Sequence, residues 1–340
     1  MKAVLVDKPF EIRLAEVPKP EIKNPDEVLI RVKYGSICGS DIGIYRGTNS
    51  LATYPRLIGH EYGGVVEEVG PGVKHLKVGD AVAVDPVRAC GDCYACNTGH
   101  HNVCKSVEVT GVHRDGGFAE YVVAPEYASY KIDTSKVPLD VISLVEPYSI
   151  GVQVNHRARI TKGDKVLVMG SGPIGLCVMQ VAKARGASVM MTDLLDSRLE
   201  RAKAMGADVV INVSNTDLEA AALEFTNGEG MPVIVDSVCI PSSFEQAVRM
   251  ACPAGRVVTL GLVNKPSAIA SVELVKKELD VMGSRLSNYR FPEVIEGFEN
   301  GSLTPAGIVS SRYSFKDAEA AIKQAVEHPA DECKIVLSFD

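Results

Sequence analysis

The second half of the chain alternates short apolar runs with amphipathic helical segments, and no other feature constrains the fold as strongly. Apolar residues between the runs recur at helical spacing, as at Ile174, Val178 and Val181. Strands that alternate with helices in this way form a parallel, doubly wound α/β sheet. Six runs predict its strands, at positions 165–169, 189–192, 209–211, 233–236, 257–260 and 279–282.

The chain before about residue 140 has a different texture. Its short β-like runs are separated by Gly, Pro and Asp turns, which predicts an irregular β domain. These runs lie at 28–32, 64–69, 81–84 and 119–123. A chain of 340 residues exceeds the usual size of one hydrophobic core, so two domains are expected. Helical segments near Pro292 and at 316–327 precede a strand at 334–339, which we expect to return to the first domain.

A glycine-rich loop follows the first strand of the α/β pattern and opens a helix. The run G-S-G-P-I-G extends from Gly170 to Gly175, and in this context it is typical of dinucleotide binding. Gly170 permits the tight turn, Gly172 lets the backbone approach the pyrophosphate, and Gly175 lets helix and strand pack closely. The helix N-terminus faces the phosphate charge.

Asp193 ends the second strand of the pattern. A carboxylate at this place binds both ribose hydroxyls of NAD and repels the 2′-phosphate of NADP, so the sequence predicts NAD. Two alternatives stay open. Asp193 can be the N-cap of the following helix, and Arg198 is a nearby cation that can bind a phosphate.

Four cysteines lie close together in a turn-rich segment, at Cys90, Cys93, Cys96 and Cys104. Four thiolates hold Zn²⁺ tetrahedrally and leave no position for water or substrate, so the spacing predicts a structural zinc site. Two disulfides or four unrelated thiols are the alternatives. Disulfides need an oxidising compartment, and nothing at the N-terminus resembles an export signal, so we expect a cytoplasmic protein.

The overall composition argues against several classes of partner. The formal net charge is -7, which disfavours nucleic acid, because phosphate binding depends on clustered Lys and Arg. No run approaches the roughly 20 apolar residues of a membrane helix. We therefore expect a small-molecule substrate and neither a nucleic-acid nor a membrane partner.

A second candidate metal site combines two short motifs, C-G-S-D from Cys38 to Asp41 and G-H-E from Gly59 to Glu61. Cysteine, histidine and glutamate are all zinc ligands, and a site with three protein ligands leaves a position for a substrate oxygen. Taken separately, neither motif is decisive.

Together with the cysteine cluster and the glycine-rich loop, these motifs resemble the zinc-dependent medium-chain dehydrogenase/reductase family over almost the whole chain. The resemblance implies a GroES-like irregular β catalytic domain at 1–145 and 290–340, with a zinc lobe at about 88–105. It also implies a six-stranded Rossmann domain at 146–289. The matching segments include G-H-E-Y-G-G-V-V-E-E-V-G-P-G-V at 59–73, V-G-D-A-V at 78–82, D-G-G-F-A-E-Y at 115–121 and E-P-Y-S-I-G at 146–151.

This resemblance implies a role for each residue of the open metal site. Cys38 and His60 match the catalytic zinc ligands, and Glu61 and Glu146 are the two acids that can complete the coordination sphere. Asp41 matches the carboxylate that orients the zinc-bound imidazole.

The same family pattern implies a proton relay that departs from the usual one. Ser40 matches the hydroxyl that touches the substrate oxygen and starts the relay. Many relatives carry a histidine five residues after the zinc cysteine, where this chain has Gly43. The relay would then end in water or another side chain, or the proton would leave on the Glu146 side.

The family pattern also implies the chemistry and a larger cofactor site. Zinc acidifies a secondary alcohol, Ser40 takes its proton, and the carbinol carbon delivers a hydride to NAD. Besides Gly170, Gly172, Gly175, Asp193 and Arg198, the cofactor would contact Pro173, Ile174, Leu260, Gly261, Leu262, Ser284 and Arg285.

The substrate class follows from a finer likeness. Glu146-Pro147 matches the polyol and threonine dehydrogenase branch, where the simple-alcohol branch has a cysteine. Within that branch the chain resembles bacterial L-gulonate, L-idonate and L-galactonate 5-dehydrogenases and the enterobacterial starvation-sensing oxidoreductase. Arg285 or Arg114 would then bind the substrate carboxylate bidentately, and an interface or structural role is the alternative for each. The segments behind this likeness lie at 83–87, 112–121, 145–148 and 283–286.

Other functions remain as alternatives. The same active site suits oxidation of a sorbitol-like polyol or of L-threonine. A non-catalytic zinc and nucleotide-binding regulator is a hypothesis of another class, and zinc-free quinone reduction is disfavoured by the two metal sets. The resemblance also implies a homodimer or homotetramer, with a subunit contact around 279–284.

Overall fold

The computed structural model describes residues 1–339, which separate into two compact units. One unit contains Met1–Glu146, Ser287–Gly301 and the described residues from Ile308 on. The other contains Pro147–Leu286 and Ser302–Gly307. The α/β unit was expected at 146–289, and its observed limits, 147 and 286, differ from these by one and three residues. Residues 302–307, expected in the first domain, belong to the second unit. The first limit falls inside a helix, Val145–Arg157, where no turn residue marks it in the sequence.

The structure has short strands in both units. They are β1 (Lys2–Lys8), β2 (Glu11–Glu16), β3 (Glu27–Ser36), β4 (Arg56–Leu57), β5 (Glu61–Val69), β6 (Ala81–Val84), β7 (Val87–Arg88), β8 (Glu108–Val109), β9 (Tyr121–Pro125), β10 (Ser129–Lys131), β11 (Lys165–Met169), β12 (Ser188–Asp193), β13 (Val209–Asn212), β14 (Met231–Asp236), β15 (Ala251–Thr259), β16 (Asp280–Gly283), β17 (Val309–Ser314) and β18 (Lys334–Ser338).

Helices connect the strands. The α-helices are α1 (Gly39–Arg46), α2 (Tyr94–Asn97), α3 (Val145–Arg157), α4 (Pro173–Ala184), α5 (Asp196–Ala204), α6 (Leu218–Phe225), α7 (Pro241–Met250), α8 (Ser271–Lys277), α9 (Phe291–Glu299) and α10 (Ala318–Glu327). Short 3₁₀ turns lie at His101–Val103, Glu126–Ala128, Leu139–Leu144, Pro305–Ile308 and Phe315–Asp317. Among the helices of residues 1–339, none has the length and apolar content that crossing a bilayer requires.

The first unit is built around a seven-stranded sheet in the order β10-β6-β5-β3-β18-β17, with β9 also paired to β3. Strand β3 is central because it pairs with β5, β18 and β9. Both of its faces are covered, and Val28, Leu29 and Ile30 are at most 2% exposed. It runs antiparallel to β5, with Ser36 opposite Glu61, and antiparallel to β18. The last strand is thereby brought close to the beginning of β5. Two smaller sheets, β2-β1-β4 and β7-β8, complete the unit.

The second unit is a parallel six-stranded sheet in the order β13-β12-β11-β14-β15-β16. Its core contains Leu167, Met190, Ile234 and Val257, each at most 1% exposed. The strand order reverses between β11 and β14, and in such sheets ligands bind at the carboxyl ends of the strands at this point. The predicted fold class, an irregular β domain with a doubly wound α/β sheet, is confirmed.

Several elements differ from the predicted ones for identifiable reasons. Strand β15 begins at Ala251, six residues before the predicted start at 257, because pairing with β14 outweighs the weak strand propensity of Pro253 and Gly255. Strand β17 was not predicted, because its polar sequence V-S-S-R-Y-S lacks a strand pattern. Parallel pairing with β18 stabilises it as a strand.

Candidate metal and cofactor sites

The four cysteines of the turn-rich segment converge around one point. The sulfur atoms of Cys90, Cys93, Cys96 and Cys104 all lie within 4.8 Å of one another. All nine cysteines, which fall within the described residues, are free thiols, so the disulfide alternative is not adopted. Four sulfurs at this separation suit a closed tetrahedral zinc site, and this group is called the cysteine cluster below.

Backbone amides favour the thiolate form of two cysteines of the cluster, Cys93 and Cys104. The amides of Cys90 and Ser106 each lie 3.3 Å from the sulfur of Cys104. The amide of Cys96 is the largest of several influences that lower the pKa of Cys93 to about 6. Since a metal binds the thiolate rather than the thiol, the donor set fits Zn²⁺.

The open metal site forms where the chain enters helix α1 and where strand β5 begins. Ligand atoms of Cys38, His60 and Glu61 all lie within 4.8 Å of one another. Asp41, which is fully buried, holds the two segments together. Its Oδ2 accepts a hydrogen bond from the amide of Cys38 at 2.9 Å, and its Oδ1 accepts one from the amide of Gly59 at 3.2 Å.

Asp41 also faces the imidazole that it was expected to orient. Its Oδ1 lies 3.7 Å from Nδ1 of His60, and the Oγ of Ser40 lies 3.3 Å from Nε2 of the same ring. The structure therefore places Cys38, Ser40, Asp41 and His60 together.

Buried negative charge dominates the electrostatics of this site. Burial lowers the pKa of His60, but the charges of Asp41, Cys38 and Glu146 outweigh burial and raise this pKa well above its ordinary value. Burial raises the pKa of Glu146 to about 8, and the charge of Glu61 adds to the rise while His60 and Lys334 oppose it. A divalent cation would compensate these charges, so the residues present fit a metal.

A lysine that the sequence analysis missed neutralises one of the acids. Lys334, on the last strand, donates to both carboxylate oxygens of Glu61 at 2.8 and 2.9 Å and to the carbonyl of Ile37 at 3.2 Å. The hydroxyl of Ser36 donates to Glu61 from the opposite residue of β3. Lys334 lies 273 positions from Glu61 in the chain. A lysine at the start of an apolar strand was the only signal, and its partner could not be named from the sequence.

The glycine-rich loop has the geometry that its motif predicts. Gly170 has a φ of +94°, which side chains disfavour, and a Cβ on Gly175 would lie 2.1 Å from the Gly170 carbonyl oxygen. Helix α4 begins at Pro173, and its N-cap residue Gly172 provides no side-chain hydrogen bond. The first amides of the helix are therefore available to a phosphate.

Asp193 ties this loop to the second strand. Its Oδ2 accepts a hydrogen bond from the amide of Ser171 at 3.0 Å, and its Oδ1 accepts hydrogen bonds from Leu194 and Leu195 at 2.8 and 3.2 Å. The N-cap of α5 is Leu195, so the N-cap alternative for Asp193 is wrong. Nη1 of Arg198 lies 3.7 Å from Oδ2 of Asp193, where it compensates the carboxylate.

The remaining cofactor candidates follow the ends of β15 and β16. Leu260, Gly261 and Leu262 come directly after β15, and the side chain of Leu262 is 74% exposed. The amide of Ser284 donates to the carbonyl of Thr259, while its buried hydroxyl has no hydrogen-bond partner within residues 1–339. An orphaned hydroxyl at the carboxyl edge of this sheet fits a bound polar ligand.

The two candidate substrate arginines lie in different units. Arg285 follows β16 in the second unit. Arg114 belongs to the first unit, where its Nη1 lies 3.8 Å from a Glu108 carboxylate oxygen and its side chain lines a cavity of about 690 Å³. Ser40, His60 and Glu146 are absent from the described lining of that cavity, so the structure does not bring Arg114 together with the open metal site.

Comparison with known proteins identifies the family. Residues 24–134 match the alcohol dehydrogenase GroES-like domain, and residues 173–300 match the zinc-binding dehydrogenase family. The starvation-sensing protein RspB of Escherichia coli (strain K12) is 40% identical, over 100% of this chain and 99% of that protein. Sorbitol dehydrogenase of Bacillus subtilis (strain 168) is 32% identical, over 100% of this chain and 97% of that protein.

Two further comparisons cover the whole chain. L-galactonate-5-dehydrogenase of Escherichia coli (strain K12) is 31% identical, over 100% of this chain and 99% of that protein. A crystal structure of a short chain alcohol dehydrogenase (rspB) from E. coli CFT073, complexed with NADH, superposes with a TM-score of 0.94 at 40% identity, covering 100% and 99% of the two chains. These matches support zinc and NAD as cofactors and an alcohol as the small-molecule substrate. The chain therefore belongs to the zinc-binding, medium-chain alcohol dehydrogenase family and is an enzyme of that class.

Proposed function

We propose that this enzyme oxidises a secondary alcohol of a sugar acid to the keto acid, with NAD as the hydride acceptor. The observation that carries the metal-dependent part is the convergence of Cys38, Ser40 and the buried His60 beside three buried carboxylates, those of Asp41, Glu61 and Glu146. A zinc ion held by Cys38 and His60, with Glu61 or Glu146 completing the sphere, supplies the Lewis acidity that makes the alcohol acidic at neutral pH.

The residues around the metal site divide the remaining tasks. Ser40, whose Oγ is 3.3 Å from the His60 ring, would accept the proton of the substrate hydroxyl while it passes its own hydroxyl proton on to the relay. Asp41, whose Oδ1 lies 3.7 Å from Nδ1, would orient that ring. At the position where relatives have a histidine, a Cβ on Gly43 would lie 3.6 Å from the hydroxyl of Thr48, so Thr48 is a candidate for the outer end of the relay, besides water and the Glu146 side.

NAD is the proposed cofactor because of the second unit. The α4 N-terminus suits the pyrophosphate, and Asp193, already fixed by three backbone amides, suits the ribose hydroxyls. The NADH in the structure of the RspB relative supports the same assignment. The closed cysteine cluster and the open site at Cys38 together imply two zinc ions per chain.

The sugar-acid substrate rests on two supports. One is the likeness of the whole chain to L-galactonate-5-dehydrogenase. The other is Arg285, whose guanidinium would bind the substrate carboxylate bidentately. Arg114 is the less favoured candidate because it pairs with Glu108 and lines a cavity that the metal-site residues do not share.

Rates on matched acids and polyols test the substrate. With NAD, kcat/KM for L-gulonate, L-idonate or L-galactonate should exceed that for sorbitol, xylitol and L-threonine. Arg285→Ala should reduce kcat/KM for the acid by a factor equivalent to about 2 to 5 kcal/mol and leave the polyols nearly unchanged. The same measurement on Arg114→Ala decides between the two arginines. Rates on sorbitol, xylitol or L-threonine that equal those on every hexonate would remove the sugar-acid proposal and leave the zinc and NAD chemistry intact.

A polyol or L-threonine substrate is the second candidate. The sorbitol dehydrogenase likeness and the Glu146-Pro147 pair favour it. The same substrate panel separates it from the sugar-acid proposal.

We also propose a cytoplasmic homodimer or homotetramer. Nine free thiols suit a reducing compartment. The expected subunit contact around 279–284 includes β16, an edge strand of the six-stranded sheet, and the exposed apolar side chains of Val272 and Val275 in the same unit also suit such a contact. Sedimentation of the purified enzyme tests the assembly, and a monomer at micromolar concentration would contradict it.

A further inference from the structure

A cavity in the first unit lies beside the cysteine cluster and contains no residue of the open metal site or of the glycine-rich loop, although it shares Tyr127 with the cavity of Arg114. Its volume is about 440 Å³, within the range of small-molecule sites. Its polar lining comes from Asp85, His101, Tyr127, Tyr130 and Tyr289, and small apolar residues and Cys96 complete the wall. None of these five residues is a candidate metal or cofactor ligand, although the charge of Asp85 contributes to the raised pKa of Glu146.

Asp85 is the charged group of this cavity, and only one of its two carboxylate oxygens accepts a hydrogen bond from the described residues. The residue is 3% exposed, and its Oδ1 accepts a hydrogen bond from the amide of Val87 at 2.9 Å. Its second carboxylate oxygen accepts no hydrogen bond within the described part of the chain. Burial raises the pKa of Asp85 to about 6, so the carboxylate is still mostly ionised at physiological pH. A buried, ionised carboxylate is costly unless a cation or hydrogen-bond donor meets it.

No lysine or arginine of the described residues lines the cavity. Arg88 acts on this cavity from outside its lining. Its charge opposes the rise in the pKa of Asp85, its Nη1 donates to the main-chain carbonyls of Asp85 and Val87 at 2.6 and 2.9 Å, and its guanidinium lies 5.9 Å from the centre of the Tyr127 ring. Arg88 lines the cavity of Arg114 instead. The protein therefore leaves the side-chain charge of Asp85 facing this cavity without a direct ion pair.

The remaining polar walls are aromatic rings and acceptors. Tyr289 stacks on His101 with ring centroids 3.6 Å apart, and Tyr130 stacks on Phe291 at 5.2 Å. Aromatic faces attract cations. The charge of Asp85 also contributes to raised pKa values at Tyr130 and Tyr289, after burial as the larger cause, which places all three groups within electrostatic reach.

His101 adds a further acceptor. The amide nitrogen of Asn288 donates to the carbonyl of Gly99 at 2.8 Å, so its oxygen faces Nδ1 of His101. An amide oxygen only accepts, and Nδ1 therefore carries the ring proton. Burial lowers the pKa of His101, which keeps the ring neutral and leaves Nε2 as an acceptor.

We propose that this cavity binds a small organic cation, an amidinium or primary ammonium group, with the charge against Asp85 and the apolar body among the three tyrosine rings. The site would be distinct from the zinc and cofactor sites, and its ligand would be an effector rather than the alcohol substrate. A carboxylate, π faces and neutral acceptors together suit a donor-rich cation, and the charge of Asp85 repels an anion.

Benzamidine and its neutral counterpart benzamide test the proposal by calorimetric titration of the zinc-loaded enzyme saturated with NADH. We expect one benzamidine per chain and binding of benzamide at least about tenfold weaker. Asp85→Asn keeps the acceptor for the Val87 amide but removes the charge, and it should weaken benzamidine about 10- to 100-fold. Glu68→Gln removes the same charge from an exposed position on β5 and should leave the titration unchanged.

A second variant keeps the test decisive if Asp85→Asn folds poorly. Tyr127 is 59% exposed, so Tyr127→Leu should fold normally and weaken benzamidine by about two- to fivefold. Equal binding of benzamidine and benzamide, or equal benzamidine affinity in wild type and both cavity variants, would overturn the proposal. So would an Asp85→Asn enzyme that changes its sedimentation coefficient while its benzamidine titration is unchanged, because Asp85 would then serve a contact between copies of the chain.

Discussion

Asp193 shows how one residue connects sequence, loop geometry and cofactor choice. Its carboxylate accepts hydrogen bonds from Ser171 in the glycine-rich loop and from Leu194 and Leu195 after β12. These bonds fix the carboxylate before any cofactor binds. Preorganisation of this kind reduces the entropy that binding would otherwise cost.

Replacement of Asp193 by serine should lower the preference for NAD over NADP by a factor of about 10 to 100. The reason is the loss of a charge-assisted hydrogen bond worth about 1.5 to 3 kcal/mol, together with the loss of repulsion against a 2′-phosphate. The ratio of kcat/KM values with the two cofactors measures the effect. Asp193→Asn is the matched control, since it retains an acceptor and removes only the charge. A wild-type enzyme that works better with NADP would contradict the assignment and direct attention to Arg198.

Asp85 should make stability depend on pH in an unusual direction. Burial raises its pKa from an unfolded value of 3.8 to about 6, so the folded state binds the proton more tightly. Below about pH 4, Asp85 is protonated in both states and does not reduce the free energy of unfolding. As the pH rises to about 6, ionisation of Asp85 lowers the free energy of unfolding. Above about pH 6 this loss stays constant, at most about 3 kcal/mol.

Asp85→Asn removes this dependence. The free energy of unfolding of the variant minus that of wild type should be larger at pH 8 than at pH 5, by roughly 1 to 2 kcal/mol. Urea unfolding at the two pH values measures the difference. The same difference at both values would show that Asp85 has no raised pKa.

At the scale of elements, strand β18 connects the end of the chain to the open metal site. It pairs with β3, and its first residue, Lys334, reaches the carboxylate of Glu61 at the start of β5. Both side chains are at most 3% exposed. A buried pair of this kind contributes little net stability by itself, yet loss of one partner leaves an uncompensated buried charge.

Lys334→Met should therefore destabilise the protein by about 3 to 5 kcal/mol, and adding Glu61→Gln should recover much of the loss. Urea unfolding of wild type, both single variants and the double variant gives the coupling energy. Lys183→Met is the control, because its pair with Asp208 is partly exposed and should cost only about 0 to 1 kcal/mol. Strictly additive effects at Lys334 and Glu61 would contradict the coupling.

For the whole molecule, the two metal sites should have separate functions. The cysteine cluster closes a loop and offers no open position, whereas the Cys38 site is open to a substrate oxygen. The first unit contains both. Metal loss should therefore have different consequences at the two sites.

Wild-type enzyme should contain two zinc ions per chain, and a chelator should remove the one at Cys38 first. Cys38→Ser should abolish turnover while the melting temperature changes little. Cys93→Ser should lower the melting temperature or cause aggregation, because structural zinc binding contributes directly to folding. Elemental analysis and thermal unfolding of the three proteins measure these effects. One zinc or none in carefully purified wild type would be the contrary result.

Local sequence patterns were enough to predict much of the fold and part of the candidate site. The strand and helix alternation predicted the parallel sheet, and the spacing of glycines and cysteines predicted the loop and the cysteine cluster, because each depends on residues that are near neighbours in the chain. The family resemblance supplied Cys38, His60 and Asp41 as one site, and the structure brings them together.

Only the tertiary structure decided the contacts between distant segments. Lys334 meets Glu61 across 273 positions, and His101 meets Tyr289 and Asn288 across nearly 190, at distances along the chain where no periodicity or spacing carries information. Such pairs depend on which strands and loops become neighbours, which is set by packing of the complete units. For the same reason the cavity around Asp85 and the position of Arg114 away from the metal site were not visible in the sequence.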